Sequence, residues 1–343
     1  MVRIAAFPAE DKNNPYINNF YSALCDESVK LVASNGSAYA WLKNNLDEYD
    51  IVHFHWLIEF YNNSSWKICF SHAIKFIQML LFLKKSRKKV IFTLHNTFPH
   101  ESRSRLIDWL VRVAILHICE CVIVHSYSAK RQLRYLFGKF SNVVVMRHGH
   151  YKNNYLNLIS REQARNKLNI TAEEKVILFV GAIRPYKGVS ELVLAFKKLK
   201  TSNLKLIIAG KLKESSYANQ LELQISSDER IILHNKFIDD EELQLYFNAC
   251  DLVVLPFNNS LTSGSLLLAY SFNKPVLVPQ IASLNEYHIS GLTYTIDGSL
   301  DSAIVNTLDN LKAIPTSDIA MEMQKFNWKE CILPVKRKVA NLS

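Results

Sequence analysis

The chain has 343 residues, 49% of them hydrophobic and 21% charged, with a formal net charge of +10. That size predicts two domains, and the composition is that of a globular chain with large cores. The cysteines (Cys25, Cys69, Cys119, Cys121, Cys250, Cys331) include no C-x-x-C pair, which argues against a disulfide framework and for a reducing compartment.

Strand-like runs alternate with helix-like runs along the whole chain, the pattern of an α/β protein with parallel sheets. In the first half the predicted strands are Arg3–Phe7, Ile51–Phe54, Val90–Leu94, Cys121–His125 and Val143–Arg147. The chain begins with this short strand pattern rather than with a signal peptide's long apolar region. A polar stretch starting at His148 marks a boundary before Glu174 and leads into a helix at Arg161–Leu168. In the second half the strands are Val176–Gly181, Leu204–Ala209, Ile231–Leu233, Leu252–Leu255, Pro275–Val278 and Leu292–Thr295. The tail reads as one or two helices with a basic face. The expected division is 1–152, 153–318 and a closing helical segment at 319–343.

The positive charge is uneven. Residues 1–150 hold 19 Lys and Arg against 11 Asp and Glu, and no acidic residue falls between Phe60 and His100. A net positive chain attracts nucleic acid, an anionic membrane or a phosphorylated substrate. From Trp66 to Lys89 apolar residues recur at near-helical spacing and end in Lys84-Lys-Ser-Arg-Lys-Lys89. A basic amphipathic helix of this kind suits an anionic membrane surface. The plain alternative is a helix packed on the sheet with a solvated cationic end. Its longest apolar region, Ile74–Leu83, is short for a bilayer span. The basic residues are interleaved with aliphatics, and no known DNA- or RNA-binding motif is present, so no nucleic-acid partner is expected.

Two loops in the second half carry the sharpest chemistry. After the strand Val176–Gly181 the chain reads Ala-Ile-Arg184-Pro-Tyr-Lys187-Gly188 and enters a helix. A glycine turn, two cations and a helix N-terminus together suit a pyrophosphate, because Arg offers a planar fork of donors, Lys a point charge and the helix unpaired N–H groups. After Leu252–Leu255 comes a polar loop ending in Thr262-Ser263-Gly264-Ser265 and an apolar helix. Here too backbone and hydroxyl donors are expected over a helix start, although a Ser in that position is also an ordinary N-cap. Both loops follow strand carboxyl ends, where ligands of open α/β sheets bind.

In the first half, His53 and His55 lie on one strand face, and His95, Asn96 and Glu101 follow the next strand end. The histidine spacing raises a metal site, but no third ligand has matching spacing, and no metal is expected. The residues are read as lining a cleft in which a His or carboxylate takes a proton from a hydroxyl.

Taken together, these segments resemble the bacterial exopolysaccharide glycosyltransferases of the two-Rossmann GT-B fold, and within them the xanthan-type β-mannosyltransferases. The resemblance is carried by Asn14-Pro-Tyr16 with Phe20–Leu24, Val52–Trp56, Thr93–Asn96 with Pro99–Glu101, His148–Tyr151, Ile183–Val189, Leu252–Pro256, and Ser263-Gly264 with Leu266–Ala269 and Pro275-Val-Leu. It implies two Rossmann-like domains facing a cleft, with the closing helical segment returning to the first. It also implies transfer of mannose from GDP-mannose to a lipid-diphosphate-linked oligosaccharide on the inner face of the cytoplasmic membrane. The donor would be held by Arg184, Lys187, Ser263, Gly264 and Ser265 without a metal or other cofactor. The base would be Glu101 first and His95 behind it, with Glu10 and Asp11 as weaker choices.

The chain departs from the broad retaining family at three points. Aligned on Lys274-Pro275-Val276, that family's two glutamates become Ser260 and Leu268, and its arginine after Gly181 becomes Ala182. The xanthan-type pattern shares these changes, which implies inversion. Alternative readings are a UDP-sugar or GDP-fucose donor, a sugar-nucleotide epimerase, or a non-catalytic scaffold of the same fold. The sequence leaves the oligomeric state open.

Overall fold

The alternation resolves into two six-stranded sheets, both wholly parallel. The computed structural model describes residues 1–12, 14–32, 38–99, 104–138, 141–212 and 215–342. The first sheet holds β1 (Val2–Phe7), β2 (Val29–Val32), β3 (Ile51–Phe54), β4 (Lys89–Thr93), β5 (Cys121–Val124) and β6 (Val143–Val145), in the order β2-β1-β3-β4-β5-β6. The second holds β7 (Lys175–Val180), β8 (Leu204–Ala209), β9 (Ile231–His234), β10 (Leu252–Val254), β11 (Val276–Pro279) and β12 (Thr293–Ile296), in the order β12-β11-β10-β7-β8-β9.

A parallel strand covered on both faces reads as an unbroken apolar run. β3, β5 and β10 are buried at every residue, as is β7 from Val176 to Val180. The strand expected in each of these places is present, its ends within one residue of those expected. The exception is β2, which the sequence reading missed. It is an edge strand pairing only with β1 through Val2↔Val29 to Ala5↔Val32, and only Val29 is buried.

All the cysteines are free thiols, and all but Cys25 are buried. Burial pushes the Cys121 thiol up to about 12, so it packs as a small apolar side chain.

The chain divides into two compact units, Met1–Gly149 with Phe326–Ser343, and His150–Lys325. The sequence reading put these divisions after 152 and 318. The returning segment from Phe326 packs on the first unit, where Cys331, Ile332, Val335 and Val339 join Ile4, Phe20 and Met146 in one core.

Candidate functional site

In the second sheet, strand order reverses between β7 and β10. A parallel sheet opens a crevice beyond its carboxyl ends at such a point. The two loops singled out in the sequence leave the sheet there. β7 ends at Val180, and Gly181 turns the chain with φ +128°. Its N–H donates to Ala209 O at 3.0 Å. Arg184 then opens a single turn, Pro185–Lys187, that Gly188 closes at φ +70° before the helix Val189–Lys198 begins. A Cβ on Gly188 would lie 2.1 Å from Pro256 O, and Asn258 N–H donates to Tyr186 O at 3.0 Å. The two loops are therefore fastened to each other through backbone, and Gly188 permits the approach.

Over Gly181 two side chains converge. A Cβ there would lie 3.2 Å from Lys187 Nζ and 3.7 Å from Ser265 Oγ. The Lys187 ammonium is 6.0 Å from the centre of the Phe257 ring. Burial, and then the charge of Arg184, push its pKa down to about 8. A half-buried cation and a hydroxyl over bare backbone make a cradle of the kind that suits an anionic oxygen.

The remaining donor-site candidates take different places. Ser263 is buried and caps the helix Gly264–Ser271, its Oγ accepting from Leu266 N–H at 3.1 Å. A Cβ on Gly264 would lie 3.3 Å from the Tyr151 hydroxyl. Tyr151 thus sits over the helix start, a placement the sequence reading did not assign. Ser260 and Leu268, where the retaining family carries its glutamates, offer no carboxylate; the Ser260 hydroxyl donates to Thr262 O at 2.8 Å.

The first unit gathers histidines where its strands end. His53 closes on Tyr21 and Thr93: its Nδ1 is 2.7 Å from the Tyr21 hydroxyl and its Nε2 is 2.8 Å from Thr93 Oγ1. His55 Nε2 is 2.8 Å from the same Tyr21 hydroxyl, and His55 Nδ1 is 3.2 Å from His95 Nε2. The His95 ring stacks on Trp56 with centroids 4.6 Å apart and takes the Tyr16 edge at 4.9 Å. His125 and His148 bond to the Met146 and Gly149 carbonyls through their Nδ1 atoms.

Burial is the main cause that holds these rings neutral. It pushes His53 and His148 down to about 3 and His125 to about 4, and His55 and His95 well below the usual imidazole range. Both nitrogens of His53 and of His55 are engaged by side chains, so the pair that suggested a metal belongs to a hydrogen-bonded network. His95 is half-buried at the outer end of that network. Glu101, the first candidate for the base, lies outside the described residues.

The basic segment forms one helix, Trp66–Lys85, of 20 residues. By length and composition it is apolar enough to cross a membrane. Its inner face (Cys69, Ala73, Phe76, Met79, Leu80, Leu83) is nevertheless buried in the unit. The outward face carries a second apolar stripe, with Trp66 55%, Phe70 41%, Ile74 40% and Leu81 53% exposed. The neighbouring helix Arg105–Ile118, which packs beside it, exposes Leu106, Trp109 and Leu110.

Residues 160–325 match the family described as Glycosyl transferases group 1. The chain is 27% identical over 326 residues to the GDP-mannose:glycolipid 4-beta-D-mannosyltransferase of Xanthomonas campestris pv. campestris, covering 92% of this chain and 84% of that protein. It is 23% identical over 334 residues to a D-inositol 3-phosphate glycosyltransferase of Corynebacterium efficiens, covering 90% and 75%. Among solved structures, sucrose-phosphate synthase of Thermosynechococcus elongatus superposes with a TM-score of 0.75 at 17% identity, over 100% of this chain and 99% of that one. HepE of Anabaena, in complex with UDP and glucose, superposes at 0.76 with 15% identity, over 99% and 100%.

Proposed function

We propose that this chain, a glycosyltransferase of two Rossmann-like domains, moves mannose from GDP-mannose to a lipid-diphosphate-linked oligosaccharide in bacterial surface-polysaccharide synthesis, with inversion at the anomeric carbon. The observation that carries the donor half is the convergence of Lys187 Nζ and Ser265 Oγ over Gly181, at the reversal between β7 and β10. The choice of GDP-mannose and of a glycolipid acceptor follows the Xanthomonas relative, whose similarity runs along 92% of this chain.

In this reading the donor pyrophosphate lies over Gly181. Lys187 supplies a positive charge, Arg184 a fork of donors, and Ser265 a hydroxyl. The bond from the anomeric carbon to the phosphate oxygen breaks, and negative charge grows on the leaving diphosphate. Fixed donors in a partly dry site stabilise that charge more than they stabilise the ground state. The chain's own cations carry this role, and the reading assigns no step to a metal. Ser260 and Leu268 leave no carboxylate where the retaining family has its glutamates, which favours direct attack by the acceptor hydroxyl. A base on the first unit, Glu101 or His95, takes the hydroxyl proton.

The acceptor is lipid-linked, and the Trp66–Lys89 segment is assigned to the cytoplasmic face of the membrane. The outward stripe of Trp66, Phe70, Ile74 and Leu81 would enter the interface, with Lys67, Lys75, Lys84 and Lys85 meeting anionic headgroups.

The test is transfer from labelled GDP-mannose to a lipid-linked oligosaccharide extract. The reading expects one hexose on the glycolipid, released by β-mannosidase and not by α-mannosidase, and lost with Lys187→Ala. Consumption of UDP-glucose in place of GDP-mannose would overturn the donor. Release by α-mannosidase would overturn inversion.

A further inference from the structure

The amino edge of the first sheet, opposite the histidines, gathers cations. Arg3 near the start of β1, Asp50 before β3, and Arg87, Lys88 and Lys89 leading into β4 line a hollow of about 420 Å³, with Leu342 of the returning segment on its wall. The carboxylate in this lining, Asp50, is already matched. It accepts from Arg3 N–H at 2.9 Å, from Arg3 Nε at 3.1 Å and from Arg3 Nη2 at 2.8 Å, and Arg3 Nη1 donates to the Asp47 carbonyl. The charge left over belongs to Arg87, Lys88 and Lys89. None of the three forms an ion pair among the described residues. Lys88 Nζ donates to Tyr49 O at 2.8 Å, which leaves its other N–H groups unspent. A helix's carboxyl end favours cations in its last turn, and that accounts for Lys84 and Lys85. Arg87 to Lys89 lie beyond that turn. The chain leaves the helix where Arg87 N–H donates to Lys84 O at 3.1 Å and Lys88 N–H to Leu83 O at 3.0 Å. Arg87 takes φ 56° there, a left-handed place that glycine fills at less cost. Three cations in a row repel one another, and a shared anion relieves that repulsion.

We propose that this hollow is a phosphate-binding site, for a phosphomonoester or diphosphate group carried by a lipid headgroup or free in solution. Three unmatched cations suit a group with more than one negative charge and several acceptor oxygens, and a carboxylate has too few of either. Arg87 closes on the phosphate with its planar fork, Lys88 and Lys89 supply point charges, and Arg3 stays with Asp50 as a fixed wall. A lipid phosphate has a route to the hollow, because the helix Trp66–Lys85 ends beside it and Leu81 of the outward stripe lies one turn before that end. The site is independent of the transferase reading: the cradle over Gly181 belongs to the other unit, and the histidines lie at the opposite edge of this sheet.

The experiment is nitrogen-15 NMR of the full chain labelled at arginine, with inorganic pyrophosphate as the probe and the Arg87 Nε signal identified by its loss in Arg87→Gly. Pyrophosphate should shift that signal saturably, and Lys89→Gln should weaken the binding by about fivefold or more. An Arg87 signal unmoved by pyrophosphate, or moved equally in Lys89→Gln, would overturn the site. The Arg184 signal reports on the cradle proposed for the donor, so failure of the transferase reading would show there and leave the Arg87 result intact. A second arm distinguishes the sources. Phosphatidylcholine vesicles carry either phosphatidic acid, a phosphomonoester, or phosphatidylglycerol, a diester, at matched surface charge. For a lipid headgroup, wild type should co-sediment severalfold better with phosphatidic acid. Arg87→Gly with Lys89→Gln should lose that preference without melting lower, because glycine suits the left-handed backbone. For a free anion, wild type should bind both vesicles alike while pyrophosphate still moves Arg87.

Discussion

A lysine that titrates near 8 is already half neutral at a pH where an ordinary lysine is fully charged. In Lys187 the folded environment disfavours the charged form, and a diphosphate bound as proposed would restore it. Nucleoside diphosphate binding should therefore take up protons near pH 8, and affinity should fall by up to about tenfold between pH 7 and pH 9. Lys187→Ala should lose that slope and bind more weakly by about 1.5–3 kcal/mol, roughly 10- to 100-fold, as calorimetric titration at several pH values would show. An unchanged slope in the variant would place the titrating group elsewhere. Glycine supplies a second prediction. Gly188 and Gly298 both have positive φ, but a Cβ would meet Pro256 O at 2.1 Å from Gly188 and nothing within 4 Å from Gly298. Gly298→Ala should cost about 1 kcal/mol by denaturant unfolding. Gly188→Ala should cost more than about 2 kcal/mol, because the loops after β7 and β10 must part.

The carboxyl edge of the first sheet should be acid-sensitive. His53, His125 and His148 titrate near 3 to 4 in the folded chain, against about 6.5 when unfolded. These are depressed folded values, so the stability they contribute is complete above about pH 6.5 and is lost as pH falls toward the folded values. Each ring contributes a slope of about 1.4 kcal/mol per pH unit in that window. The melting temperature should drop between pH 6.5 and 4.5, and a flat profile would contradict the burial of these rings. The outward stripe on Trp66–Lys85 makes the opposite kind of prediction. Phe70→Ser with Ile74→Ser should leave the melting temperature nearly unchanged, because both are exposed. Co-sedimentation with vesicles containing phosphatidylglycerol should fall severalfold. The edge and the stripe also differ in how far the sequence revealed them. The stripe follows helical period within one segment and could be read directly. The edge could not, because the bonds that make it join residues 32, 34 and 40 positions apart. The alternation of His53 and His55 placed them on one face, but nothing local pointed to Tyr21 or Thr93.

At the scale of the molecule, fully buried parallel strands were legible because each is a compact apolar run between polar segments, as in Val176–Val180 and Cys121–Val124. Edge strand β2 was not, since Val29-Lys-Leu-Val32 buries only one side chain. The loops after β7 and β10, proposed to hold the donor, were legible as glycine, cation and hydroxyl at strand ends. The division of labour inside them was not, because a helix-capping serine and a phosphate-binding serine read alike. Ser263 caps, and Ser265 faces Gly181. The net charge of +10 adds a prediction for the whole chain. Vesicle binding should weaken steadily as salt is raised past about 0.15 M, where screening shortens to about 8 Å. The central claim is that the second unit holds a nucleoside diphosphate over Gly181. The most direct measurement is calorimetric titration of wild type and Lys187→Ala with GDP, GDP-mannose, UDP and UDP-glucose. The account predicts selective binding of GDP and GDP-mannose by wild type and weaker binding of both by Lys187→Ala. A folded wild-type protein that binds none of the four would contradict it.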